Sequence, residues 1–92
     1  MSNSPAPTNY QWINNILTFD LETGVTGVKL KYQKDGDTNW TDILDSPDSA
    51  QNSCLLNAST YGPSGTVCGA TKTSTGTGGG WGTEVCYPIV NS

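Results

Sequence analysis

The stretch that decides the fold is residues 25–41, VTGVKLKYQKDGDTNWT, in which apolar and polar residues alternate with a period of two. The apolar positions are Val28, Leu30 and Tyr32, and the polar positions between them are Lys29, Lys31 and Gln33. This period is typical of a β-strand with one buried face and one face in water. Asp35-Gly36 follows, a dipeptide that favours a tight turn, and Trp40 begins a returning strand. The stretch therefore predicts a β-hairpin.

Five other segments have the character of strands, at residues 10–13, 16–22, 53–57, 66–74 and 83–90. Turn-forming residues separate them, and no segment shows the 3.6-residue period of a helix. Seven strands of this kind predict an all-β fold, a seven-stranded antiparallel β-sandwich. The predicted core includes Leu17, Phe19, Val28, Leu30 and Tyr32.

The chain has the length of one such domain. Residues 1–9, rich in Pro, Ser and Asn, are predicted to be a linker or an extended N-terminal lead. Residues 10–92 are predicted to form a single sandwich domain. A chain of 92 residues buries only ~60–65% of the surface that its unfolded form exposes, so we expect a thin core.

The absence of histidine and arginine narrows the range of functions that the chain could have. None of the 92 residues is histidine, and the four basic residues are all lysines. The commonest general base near neutral pH is therefore absent, as is the bidentate guanidinium clamp for phosphate. The net charge of −4 repels a nucleic-acid backbone. We expect no enzymatic activity, no cofactor, no nucleic-acid partner and, since no run of about 18 apolar residues occurs, no membrane insertion.

The order of these elements resembles that of fibronectin type III domains. Residues 4–9, SPAPTN, are similar to the Pro-rich lead of the family, and Phe19 is similar to the core aromatic residue of its second strand. Residues 25–41 resemble its third strand, hairpin and following tryptophan strand. A short leucine strand, a turn, a strand, a glycine-rich loop and a final strand complete the same order. The resemblance covers nearly the whole chain and implies a type III-like sandwich.

Two positions depart from the family pattern. Phe19 stands where the second strand usually has tryptophan, and Thr66 and Cys68 occupy the region where a tyrosine is expected near the start of the sixth strand. Tyr61, in the preceding turn, is the candidate to replace that tyrosine. The alternative is a divergent immunoglobulin-like sandwich, and neither fold by itself fixes a function.

The three cysteines are predicted to divide into one pair and one free thiol. The midpoint of Cys68 and Cys86 is (68 + 86)/2 = 77, inside the glycine-rich tip of the last hairpin. Directly opposed residues of a hairpin come close enough for a disulfide. We therefore expect a Cys68–Cys86 bridge and a small buried Cys54, the alternative being three reduced buried cysteines. Three widely spaced cysteines without histidine match no common zinc site, so no metal is predicted.

The carboxylates and the glycosylation sequons are weaker indications of function. Five acidic residues lie close in sequence, at Asp35, Asp37, Asp42, Asp45 and Asp48. Glycoside hydrolysis or calcium binding would use such groups, but Asp35-Gly36-Asp37 is better explained by turn chemistry. The two sequons, at residues 39–41 and 57–59, are no more than chance predicts in a chain this rich in Asn, Ser and Thr.

The candidate binding surface is the tip of the last hairpin, formed by Gly76, Thr77, Gly78, Gly79, Gly80 and Trp81. Recognition loops of type III domains often lie there, and Trp81 would anchor a partner protein or stack on a sugar ring. For Trp81 itself we favour the interpretation that it folds over the edge of the sheet and fills the thin core, and the tip is the first surface to test. Trp12 and Trp40 are expected to be structural.

The resulting hypothesis is a non-catalytic module for protein binding, adhesion or spacing in an extracellular or cell-surface protein. Its partner would be another protein or a neighbouring domain. One alternative is a structural module of a virus or phage particle, such as a tail or capsid appendage. Another is an accessory carbohydrate-binding domain, for which Trp81 is the first residue to test.

Overall fold

The strands of the protein form two antiparallel sheets. A computed structural model describes residues 4–73 and 80–92. The elements are β1 (Thr8–Ile13), β2 (Ile16–Asp20), β3 (Val25–Lys34), β4 (Thr41–Ser46), β5 (Ser53–Leu55), α1 (Ala58–Tyr61), β6 (Ser64–Thr73) and β7 (Val85–Val90). One sheet has the strand order β1-β2-β5 and the other has the order β4-β3-β6-β7. The predicted all-β, seven-stranded antiparallel sandwich is confirmed.

The hairpin predicted for residues 25–41 is formed by β3 and β4. β3 begins at Val25, three residues earlier than its alternation suggested, because an irregular pairing between Val25 and Gly27 absorbs the change of register with β6. In the turn, Gly36 has a φ of 84°, a left-handed conformation that favours glycine. The Asp37 carboxylate accepts a hydrogen bond from the Thr38 amide at 2.8 Å. The Asp-Gly-Asp segment is thus turn chemistry, as predicted.

The core lies between the two sheets. Its cluster of buried apolar residues comprises Trp12, Leu17, Phe19, Val25, Val28, Leu30, Tyr32, Cys54, Leu56, Val67 and Ile89. All five residues predicted to be core belong to it, because alternation along β2 and β3 turns them inward. Trp12 is among the largest of the fully buried side chains, and its indole nitrogen donates to the Leu56 carbonyl at 2.9 Å.

The turn before β6 contains a short helix that the sequence did not predict. α1 is a single turn, and four residues are too few to show a helical period. Asn57 caps it, since its side-chain oxygen accepts from the Ser59 amide at 3.0 Å. β5 accordingly ends at Leu55 rather than at the predicted residue 57. Within the described residues, no helix has the length and apolar character required to cross a membrane.

The N-terminal segment packs against the sandwich. β1 begins at Thr8 instead of residue 10, and Ser4 and Pro7 before it are buried. The hydroxyl of Thr71, in β6, donates to the Pro5 carbonyl at 2.6 Å and contacts the Ser4 hydroxyl. The extended lead is therefore held against the C-terminal end of β6.

The C-terminal segment is held at the opposite end of the sandwich. The Ser92 amide donates to the Trp12 carbonyl at 2.9 Å, and the Asn14 amide donates to the Ser92 carbonyl at 3.2 Å. The Asn91 amide reaches the Pro63 carbonyl at 2.8 Å. A parallel bridge between Trp12 and Asn91 joins the two sheets along this side.

Candidate binding groove on the four-stranded sheet

Lysines concentrate on the outer face of the four-stranded sheet. Since alternate residues of β3 face the core, Lys29 and Lys31 face outward, and Lys72 of β6 joins them by the same alternation. Three of the four lysines of an acidic chain thus share one face. The strand period places Lys29 and Lys31 together, and the pairing of β6 with β3 adds Lys72.

Trp81 lies on this face rather than in the core. Its indole ring is partly exposed, with the Lys29 ammonium 4.5 Å and the Lys72 ammonium 5.3 Å from the ring centroid. Both distances fall within the range of a cation–π contact. Trp81 is absent from the cluster of buried core residues. The favoured interpretation, in which Trp81 fills the core, is wrong.

The backbone next to Trp81 is fixed to the sheet. The Gly82 amide donates to the Thr71 carbonyl at 2.8 Å, which holds the chain beside the end of β6. A side chain at Gly82 would collide with the backbone of Ser4, so the packed N-terminal lead also limits this position. Of the candidate binding surface, Gly80 is exposed, whereas Gly76, Thr77, Gly78 and Gly79 lie outside the described residues.

A groove of about 400 Å³ runs beside Trp81 across the outer face of the sheet. Its lining comprises Lys29, Leu30, Lys31, Asp42, Leu44, Asp45, Pro47, Cys68, Trp81 and Glu84. Asp42 and Asp45 of β4 pair directly with Lys31 and Lys29 of β3, so the two carboxylates share the face of the two ammonium groups. Glu84 lies on the opposite side and forms an ion pair with Lys31 at 3.2 Å. We call this site the Trp81 groove.

Trp40 occupies a second position on the surface. It is 43% exposed, and the Lys31 ammonium lies 4.9 Å from its ring centroid. Trp40 thus lies outside the buried core to which Trp12 belongs. Trp40 is not among the residues that line the Trp81 groove.

The sequence identified only part of this site. Trp81 and Gly80 were named, and Asp42 and Asp45 were noted within a larger acidic set. The alternation of β3 also assigned Lys29 and Lys31 to one polar face of the strand. Nothing in the sequence indicates that Lys72 and Glu84 converge here, because Lys72 is placed by the β3–β6 pairing and Glu84 by its ion pair with Lys31.

Cys68 and Cys86 are joined by a disulfide, as the symmetry of the last hairpin predicts. The two residues are direct partners in the β6–β7 pairing, and their Cα atoms are 4.0 Å apart. Glu84 and the two sulfurs lie within 4.8 Å of one another, a grouping with metal-ligand residue types. Both sulfurs are consumed in the bridge and offer no thiolate, so this grouping does not make a thiolate metal centre.

Cys54 is the free cysteine of the described chain and is buried in β5. Burial disfavours the thiolate and raises the pKa of Cys54 to about 11 from an ordinary value of 9.0. Burial likewise raises the pKa of Tyr32 to about 12. Both groups are therefore neutral in the folded protein at neutral pH.

These pKa values predict a loss of stability at alkaline pH. Between pH 9 and 11 the unfolded chain releases the Cys54 proton while the folded chain keeps it, so the free energy of unfolding falls as the pH rises. One such group contributes a slope of at most about 1.4 kcal/mol per pH unit. Urea unfolding at pH 7.5, 9 and 10 should show a shallower decline for Cys54→Ala than for the wild type. Parallel declines would contradict the assignment.

Comparisons with protein-family models, with curated proteins and with solved structures find no match to this chain. The fold and the site therefore define its class from the structure alone: an all-β sandwich of two antiparallel sheets, with an open groove beside a tryptophan on the outer face of the larger one.

Proposed function

We propose that this chain is a non-catalytic, fibronectin type III-like module that binds a partner through the Trp81 groove. The strand order supports the type III assignment. In an immunoglobulin constant-type domain the fourth strand joins the sheet of the first two, whereas here β4 pairs with β3 in the other sheet. The type III resemblance implies a hairpin of the third and fourth strands, and the pairing of β3 with β4 agrees with it.

The two departures from the family pattern have structural substitutes, which also supports the assignment. Trp12 of β1 provides the large buried indole, and Phe19 packs in the same core. The Tyr32 hydroxyl donates to the carbonyl of Tyr61, whose ring meets that of Tyr32 edge to face with centroids 5.6 Å apart. A tyrosine of β3 thus ties the turn before β6 to the sheet.

The disulfide supports an extracellular or cell-surface location. Bridges of this kind form and persist in oxidising compartments and are rare in the cytosol. Cys86 is exposed, so a reducing environment would have access to the bridge. A module that depends on it is therefore suited to the outside of the cell.

The observation that carries the binding function is the partly exposed Trp81 beside the groove. Tryptophan is enriched among residues that dominate binding energy, and its rigid ring system loses little entropy on binding. The chain has neither histidine nor arginine for acid–base or electrophilic chemistry. Binding without catalysis is the function that these groups support.

The test separates a binding module from a spacer. The wild-type domain and the variants Trp81→Ala and Trp40→Ala would be immobilised and exposed to cell-surface and secreted material from the source organism. We expect a component that the wild type and Trp40→Ala retain and Trp81→Ala does not. Retention of nothing would indicate a spacer, and equal retention by all three would place the binding surface elsewhere.

A further inference from the structure

We infer that the ligand of the Trp81 groove is an uncharged glycan, with one sugar ring seated on the indole of Trp81. The inference rests on the proposed binding function and names its ligand class. It follows from three properties of the groove: the pairing of the strands beneath it, the ring that borders it and the balance of charge along its sides.

The two central strands beneath the groove, β3 and β6, have no free backbone groups to offer, and the free edge of the sheet on this side belongs to β4. β3 is paired on one side with β4 and on the other with β6, and β6 is paired with both β3 and β7. A peptide that adds to a sheet as a further strand needs an unpaired edge. Recognition over β3 and β6, next to Trp81, therefore comes from side chains, which favours a ligand that is bound by ring stacking and hydroxyl contacts.

Trp81 provides the stacking surface. The face of an indole ring carries negative charge density, which attracts the weakly positive C–H groups on one face of a sugar ring. In the structure, the ammonium groups of Lys29 and Lys72 lie over this ring. Such contacts are weak at exposed sites and lysine side chains are flexible. They can move aside and donate hydrogen bonds to the hydroxyls of a bound sugar.

The charges of the site balance. Lys29 and Lys31 line the groove together with three carboxylates, those of Asp42, Asp45 and Glu84. Lys72 lies over the bordering Trp81 ring, so ammonium and carboxylate groups are equal in number around the site. An anionic chain would meet the carboxylates and a cationic chain the ammonium groups. A sugar hydroxyl both donates and accepts hydrogen bonds, so an uncharged glycan can use both kinds of group. The groove volume of about 400 Å³ suits a ligand of small-molecule size per site.

Affinity electrophoresis is the direct test. The wild-type domain would be run in native gels that contain a soluble neutral β-glucan, xylan or mannan, and in gels that contain alginate as an anionic polysaccharide. We expect retardation by at least one neutral polysaccharide and none by alginate. Trp81→Ala should weaken the apparent affinity by at least about tenfold. Trp40→Ala, which removes an exposed tryptophan outside the groove, should leave it unchanged.

A second pair of variants keeps the test decisive if Trp81→Ala impairs folding. Asp45→Asn changes one exposed groove carboxylate with little change of shape and should weaken retardation by about threefold, a modest loss for one charged hydrogen bond. Asp48→Asn, an exposed loop residue that does not line the groove, is its control. Melting temperatures of all variants would accompany the gels.

The outcomes distinguish this inference from the broader proposal. Retardation by alginate alone, or by no polysaccharide, overturns the uncharged glycan as ligand. In that case a protein component that is retained in a Trp81-dependent manner still supports the binding module. If the Trp81 groove variants change neither polysaccharide nor protein retention, both the inference and the proposed function fail.

Discussion

Replacing Trp12 with alanine is expected to lower the free energy of unfolding by about 3–5 kcal/mol. The side chain is 2% exposed, so the substitution leaves a large cavity between the two sheets. It also removes the donor to the Leu56 carbonyl. Since small domains are stable by only about 5–15 kcal/mol, this is a large fraction of the total. Urea unfolding monitored by far-UV circular dichroism would measure the loss.

Two further variants test the hydrogen bond of Trp12 and compare the buried tryptophan with an exposed one. Trp12→Phe keeps an aromatic ring but leaves the Leu56 carbonyl without its donor, and should cost about 1–3 kcal/mol for that unpaired buried group, in addition to any loss of packing. Trp40→Ala removes the same side chain from an exposed site and should change stability by no more than about 1 kcal/mol. Equal losses for Trp12→Ala and Trp40→Ala would contradict the core assigned here.

Removal of the disulfide is expected to have the next largest effect. The double variant Cys68→Ala/Cys86→Ala should lose about 3 kcal/mol, the value expected for a bridge that closes a loop of this size. The bridge joins partners on β6 and β7, at the edge of the four-stranded sheet. Thermal unfolding with and without a phosphine reductant would measure the contribution in the unmodified chain.

The reductant also provides the control for the disulfide. Wild type and Cys54→Ala should both lose stability when the bridge is reduced, because Cys54 takes no part in it. The double variant should be insensitive to the reductant. A wild-type melting temperature that does not change on reduction would show that the bridge contributes little to stability.

The fold was predictable where short-range rules determine it. Alternation in β2 and β3 assigns Leu17, Phe19 and Tyr32 to the core, and a turn dipeptide locates the β3–β4 hairpin. The symmetry of the last hairpin pairs Cys68 with Cys86 because strand pairing is regular around a turn. These features depend on neighbours within a few residues or on one strand pair.

The site was less predictable because it depends on contacts between distant segments. The exposed position of Trp40 follows from the way the chain leaves the β3–β4 turn, which no local pattern specifies. The position of Trp81 follows from the hydrogen bond between Gly82 and Thr71 and from the packed lead at Ser4. The N-terminal lead itself is polar and Pro-rich, so its burial could not be inferred from hydrophobicity.

The anchoring of the two terminal segments at opposite ends of the sandwich has a mechanical consequence. Tension applied to the N-terminal lead and to Ser92 would act along parallel neighbours, β1 and the end of β7. The bonds that link Ser92 to Trp12 and Asn14 would then be loaded together, in shear, rather than opened one after another. Resistance to such a pull is governed by the rate of unfolding. The same bonds that close the sandwich would make this domain resist unfolding when it is pulled along the direction of the strands.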